Sequence, residues 1–279
     1  MTTLDARIRE RLEREPFATS WYIHDLRNGT TIAGGAGGTP VAAGAGRLLL
    51  LVAFLDKVQR GTFKLSDPVV YEEKHRVGAT QGIIQWLAPG KQLAIRDALA
   101  QSIITGDSVS VAMIEDYLSA RGTSPEALIT SFCSDAGIQL GGFGESFIDA
   151  AVSVKDLVGL VDRLEGLRTG AADKNGFVID ASLAEEALRI MRSVLKTDGI
   201  AAVLPGHGPF LADVGHLPCD GGTAGKWSTD WADTGVVYRD GAARYSVSVT
   251  CNGVPEDIDG EPGPYRARSA IADVSYLLW

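Results

Sequence analysis

Eight consecutive apolar residues, Leu48-Leu49-Leu50-Leu51-Val52-Ala53-Phe54-Leu55, constrain this chain more than any other stretch. They are too few to span a bilayer, which takes about 20 residues in a helix. Gly44-Ala45-Gly46-Arg47 opens the run and Gly61 follows it, so the sequence predicts a helix over 44–60. The lead-in is Thr39-Pro40-Val41-Ala42-Ala43. With 279 residues and 45% apolar content, the chain has ample material for a large core in one α/β domain or two interleaved lobes.

The formal charge of −9 argues against non-specific nucleic-acid binding and against an anionic membrane surface. Cys133, Cys219 and Cys251 are too scattered for a zinc knuckle. An odd cysteine count suits a reducing compartment at least as well as a disulfide framework. Leu4, Ile8 and Leu12 mark a charged amphipathic helix with no apolar signal core, so the expected location is cytoplasmic.

Along the chain, Ser20–Leu26 reads as a strand, Arg27-Asn28-Gly29-Thr30 as a hairpin turn and Thr31–Ala33 as the return. Leu65–Tyr71 reads as extended. Helices are predicted over 95–105, 108–121, 126–136, 154–164 and 183–196. Strands follow at 234–238 and 244–250 around the turn Arg239-Asp240-Gly241-Ala242, then a closing helix over 271–278. Strands, a block of helices, then strands again imply an α/β sandwich of the α+β type, whose antiparallel sheet is shared by the two chain ends. The expected division is a helical lobe over about 62–200 and a sheet lobe from 1–61 with 201–279.

The stretches Arg76–Gly90, Leu93–Leu99, Ile103–Ser108 and Asp233–Tyr238, with the helix opening at Gly44, resemble the serine β-lactamase and penicillin-recognising family over nearly the whole chain. The resemblance implies a β-lactamase-like fold. It also shows what is missing. Where the family has Ser-x-x-Lys, with its attacking serine and tuning lysine, this chain has Gly44 and Arg47. Where the family has Ser-Asp-Asn, it has Gly106-Asp107-Ser108. For the third motif, Lys-Thr-Gly on an edge strand, the preferred match is Thr223-Ala224-Gly225 followed by Lys226. An alternative register uses Gly215-His216-Leu217-Pro218. The loop Phe143–Asp149 lacks the glutamate text of the family's water-activating loop. Acyl transfer needs an activated nucleophile beside a base, so hydrolysis by the family's covalent route is not expected.

What the resemblance leaves is a helix start at Gly44, whose amides and dipole favour an anion. The implied oxyanion donors are the amides of Gly44 and Lys226. Arg47 adds a forked donor for a carboxylate or phosphate, or else pairs with Asp107. Asp107 either braces its loop or takes part in chemistry. Ser108 is a substitute nucleophile or the N-cap of the next helix. Lys226 is the remaining base candidate. Trp227 and Trp231 wall a flat ligand or pack against the closing helix, and Gln81 sits on the opposite rim. Thr223 and Gly225 complete the expected substrate contacts. His75 reads as surface, and His207 and His216 as loop residues with no metal partners. Neither a metal nor a cofactor is expected, and Gly34–Gly38 lacks the rest of a phosphate loop. The expected partner is a small molecule, anionic or carbonyl-bearing.

Three readings of function follow. One is an enzyme of specialised, natural-product metabolism working without an acyl-enzyme, by cyclisation, isomerisation, elimination or water-mediated hydrolysis. Another is an inactive ligand-binding relative. The third is a hydrolase with its nucleophile moved to Ser108 or Thr223.

Overall fold

The computed structural model describes residues 3–76, 82–171, 179–204, 212–221 and 229–279. In chain order these form α1 (Leu4–Leu12), β1 (Ala18–Asp25), β2 (Thr30–Gly35), β3 (Val41–Ala42), α2 (Ala45–Gln59), β4 (Pro68–Val70), β5 (Gln92–Ala94), α3 (Ile95–Ile104), α4 (Ser108–Ser119) and α5 (Pro125–Ala136). Then come β6 (Leu140–Phe143), β7 (Ala150–Val152), α6 (Val154–Arg168), α7 (Ala181–Arg192), β8 (Ala212–Gly221), β9 (Asp230–Arg239), β10 (Ala242–Asn252) and α8 (Gly263–Leu278).

The main sheet runs β2-β1-β10-β9-β8, antiparallel throughout, so the two chain ends share it as the element order implies. Side chains alternate across it. Trp21 and Ile23 lie opposite Val249 and Val247 and turn to the back, where they meet Ile8 and Leu12 of α1 and Ile271 and Val274 of α8. The other face meets α6 through polar contacts. His24 Nδ1 lies 2.7 Å from Asp162 and the Tyr238 hydroxyl donates to Glu165 at 2.9 Å, while within the sheet Thr234 and Ser248 share a 2.7 Å bond.

Helix α2 lies in a second, larger core built mainly from α2 to α7. Each of Leu48 to Leu55 is at most 2% exposed. A helix apolar all round belongs in an interior, and each buried leucine is worth about 1.5–3 kcal/mol over an exposed one.

Local expectations change, and the helix expected over 183–196 ends at Arg192. The predicted extended stretch 65–71 forms a strand only over Pro68–Val70, paired with β5. Helix α8 starts at Gly263 rather than Ile271, because Pro264 can occupy its first turn and Ala267 and Ala270 face the core between polar neighbours. The sheet β3-β7-β6 is unanticipated. Its strands of two to four residues are too short to show alternation. No helix among the described residues is long and apolar enough to cross a membrane.

Candidate functional site

Helix α2 begins at a backbone junction. Gly44 precedes it with φ 75°, a left-handed conformation natural to glycine, and has no side chain to cap the helix. Two turns of chemistry follow from Gly46. A Cβ there would stand 1.7 Å from the Phe147 carbonyl oxygen, so only hydrogen fits. The Gly46 N–H donates to the Ile148 carbonyl at 3.1 Å. The loop before β7 is thereby clamped on the first turn of α2. That loop is tight in itself, with Asp149 N–H donating to Ser146 O at 3.1 Å and Gly144 N–H to Asp149 O at 2.8 Å. The Arg47 N–H turns back to Gly44 O at 3.0 Å. Among the described residues, the Gly44 and Ala45 amides are the donors left without a carbonyl, as expected of a helix start.

The clamp brings Asp149 into the field of Arg47. Burial pushes the Asp149 carboxyl above its ordinary range. Arg47 pulls it down, and the negative charges of Asp230 and Glu145 push it further up. Asp230, the first residue of β9, is fixed by Asn252. The Asn252 amide donates to Asp230 Oδ1 at 2.9 Å and to the Val41 carbonyl at 2.8 Å, stitching the sheet end to the lead-in of α2. The Asp149 Oδ1 and the Arg47 Nε are both buried and, among the described residues, both lack a hydrogen-bond partner.

Several sequence-based expectations change here. The proposed Arg47–Asp107 pair does not form. Asp107 is fully buried, accepts from Ile84 N–H at 2.8 Å and Ser110 N–H at 2.9 Å, and caps α4. Both oxygens are spent on backbone amides, which is the bracing role. Ser108 is therefore the first residue of α4 and not its N-cap. Its half-buried hydroxyl makes no hydrogen bond among the described residues. Trp231 takes the second of its two expected places, packed against the closing helix. It is 7% exposed, packs in the core behind the sheet with α8, and lies under the Arg268 guanidinium at 4.7 Å.

The histidines also move. His216 sits in β8 rather than a loop, buried, with Nδ1 3.1 Å from Asp233. His75 is buried rather than on the surface. Its Nδ1 accepts from Glu72 N–H at 3.0 Å and its Nε2 lies 2.9 Å from Asp116. The sheet-edge strand β8 carries Gly215-His216-Leu217-Pro218, the alternative register of the third motif. The preferred match, with Thr223, Gly225 and Lys226, lies outside the described residues, as do Gln81, Trp227 and His207.

The start of α2, with Gly44 and Arg47, is thus brought against the loop that carries Asp149. Asp149 feels one guanidinium and two further carboxylates among the described residues. Asp149 was not singled out from sequence. The available signal was Gly46, a glycine in a helical run where a backbone comes close. Among the described residues, no group of three or more histidines, cysteines or carboxylates is placed to hold a metal ion.

Residues 3–279 match the model of the beta-lactamase enzyme family. Among solved structures, PBP-A is similar at 20% identity with a TM-score of 0.78, covering 100% of this chain and 95% of its own. A β-lactamase from Chitinophaga pinensis is similar at 16% identity with a TM-score of 0.79, covering 99% and 98%. A β-lactamase from Xanthomonas campestris pv. campestris gives 14% identity and a TM-score of 0.76, covering 100% and 98%. At these identities the likeness speaks for the fold. No curated protein matches.

Proposed function

The chain belongs to the beta-lactamase enzyme family, and from that premise we propose that it binds a small carbonyl-bearing molecule where α2 begins and acts on it without an acyl-enzyme. The observation that carries this reading is Gly44. It stands at the helix start where the resemblance puts the attacking serine, and it offers an amide but no hydroxyl. An amide donor at a helix start polarises a carbonyl oxygen without forming a bond to it. Proton transfer then falls to a side chain nearby. Cyclisation, isomerisation, elimination or water-mediated hydrolysis all fit those two parts, and specialised, natural-product metabolism is the proposed setting.

The occupied carboxylate of Asp107 argues against giving it the proton. The Ser108 hydroxyl, unbonded among the described residues, argues against a nucleophile relocated there. Binding without turnover is the second reading, favoured by the same loss of hydroxyl at Gly44.

A labelled penicillin and a fluorophosphonate, incubated with the full chain and read by intact mass, test the proposal. The expected result is no adduct on any residue. A stoichiometric ester on a serine or threonine would overturn it. A screen for turnover of carbonyl compounds separates the first reading from the second.

A further inference from the structure

Behind the sheet, where α1 and α8 pack together, lies an open groove of about 230 Å3. Ile8 and Leu12 turn one side of α1 inward, so its charged residues fall along the other. Arg7, Glu10, Arg11 and, just past the helix, Arg14 form one wall of the groove. Asp273, Tyr276 and Leu277 of α8 form the other. Most of these charges are already paired. Arg11 Nε donates to Asp273 at 2.7 Å, and the same guanidinium reaches Glu15, which Arg266 shares. Arg14 is bonded to Glu10. Arg7 differs, because its guanidinium makes no hydrogen bond and no ion pair among the described residues. The Tyr276 hydroxyl is likewise unbonded there, and that residue is 66% exposed.

Three arginines against two carboxylates leave these walls one net positive charge, in a chain whose formal charge is −9. Glu10 and Asp273 each hold an arginine already, while the Arg7 guanidinium offers donors only. An occupant must therefore bring acceptors, and a single negative charge matches the single uncommitted cation. The remaining surface is the Tyr276 ring, Leu277 and the arginine stems, which cover an apolar body. A benzene ring fits a cavity of about 150 Å3, so this groove has room for a ring and one small polar group. We propose that the groove between α1 and α8 is a binding site for a small aromatic carboxylate, its charge on the Arg7 guanidinium and its ring against Tyr276 and Leu277. A fork of N–H donors suits the two oxygens of a carboxylate.

The test uses the full chain labelled with 15N and follows the backbone amides of α1 and of Asp273–Leu277. Benzoate, benzyl alcohol and benzylamine are titrated separately, so that the ring is constant and the charge varies. The expected result is a saturable shift of those amides by benzoate, with a midpoint at least about threefold below the other two. Added salt should weaken benzoate and leave benzyl alcohol unchanged, since only the charged contact is screened. Arg7→Gln should bring the benzoate midpoint to within about twofold of that for benzyl alcohol. Tyr276→Ala should raise both midpoints about threefold or more. Both substitutions fall on exposed side chains, and the amide spectrum confirms that each variant is folded.

No saturable shift with benzoate up to about 50 mM would make the groove a seam between helices and nothing more. A tighter response to benzylamine would make Glu10 and Asp273 the binding groups. Equal midpoints for benzoate and benzyl alcohol would leave an apolar cleft with no use for charge. An unchanged benzoate midpoint in Arg7→Gln would remove the arginine. Each of these results overturns the proposal. None of them involves α2 or the adduct experiment, so the function proposed at the helix start stands or falls separately.

Discussion

A carboxylate with each oxygen committed to a buried amide serves as a brace, and Asp107 is in that position. Replacing it with alanine strands the Ile84 and Ser110 N–H groups in the interior and removes the cap of α4. The expected cost is about 2 kcal/mol or more, read as a lower urea midpoint with an unchanged slope. Asp107→Asn keeps an acceptor for the Ser110 amide and should recover about half of the loss. Gly44 makes the complementary point. Its φ of 75° disfavours any side chain, so Gly44→Ser should cost about 1 kcal/mol of stability. Restoring a hydroxyl in this chain thus opposes its own backbone. If Gly44→Ser with Arg47→Lys still gains penicillin acylation, the helix start retains the family's geometry. A double variant that folds yet never acylates would show that the junction has been remodelled beyond one side chain.

Helices here are held to one another by a few directed ion pairs as well as by their apolar faces. Arg96 on α3 and Arg189 on α7 both reach Glu186, with bonds of 2.7 and 2.9 Å. Burial alone would raise the Glu186 carboxyl, but the hydrogen bonds and charges of the two arginines hold it down at about 2. Because the folded value lies below the unfolded one, this group stabilises the fold above about pH 4.5. It loses that contribution as pH falls toward 2. Glu186→Gln should therefore flatten the acid limb of stability over that window, measured by thermal unfolding at successive pH values.

Elements of this kind were legible from sequence to the degree that they carry their own periodicity. Helices α3 to α6 fall close to their predicted spans because apolar residues recur at helical spacing, while α2 is marked by its continuous apolar run between Gly44 and Gly61. Strand β8 was legible only as an alternative register of the third motif, because Gly215, Pro218 and Gly221 break its alternation, and as a sheet edge it tolerates them. The site divides the same way. Gly44 and Arg47 were readable because they stand in a recognisable local text. Asp149 was not, because its meaning comes from a carbonyl 101 positions from Gly46 that only the folded chain brings near.

At the scale of the molecule, the sheet separates two cores of unequal character. The front core surrounds α2 and contains the helix start where the proposed site lies. The back core is a single layer, α1 and α8 on the sheet, tied at its rim by Arg11 to Asp273 at 2.7 Å and Arg266 to Glu15 at 3.0 Å. Leu12 is fully buried in that layer. Leu12→Ala should cost about 2–5 kcal/mol, but the loss should not spread evenly. Helices α1 and α8 each depend on the other and on one sheet face, so they should open together as a local unit. Hydrogen exchange should then accelerate at Leu4–Leu12 and Gly263–Leu278 while Leu48–Leu55 keeps its protection. Leu51→Ala, made in the front core at a residue 1% exposed, should instead speed exchange through α2 and its neighbours. If either substitution loosens both layers equally, the sheet transmits strain across its polar front face, and the cores unfold as one.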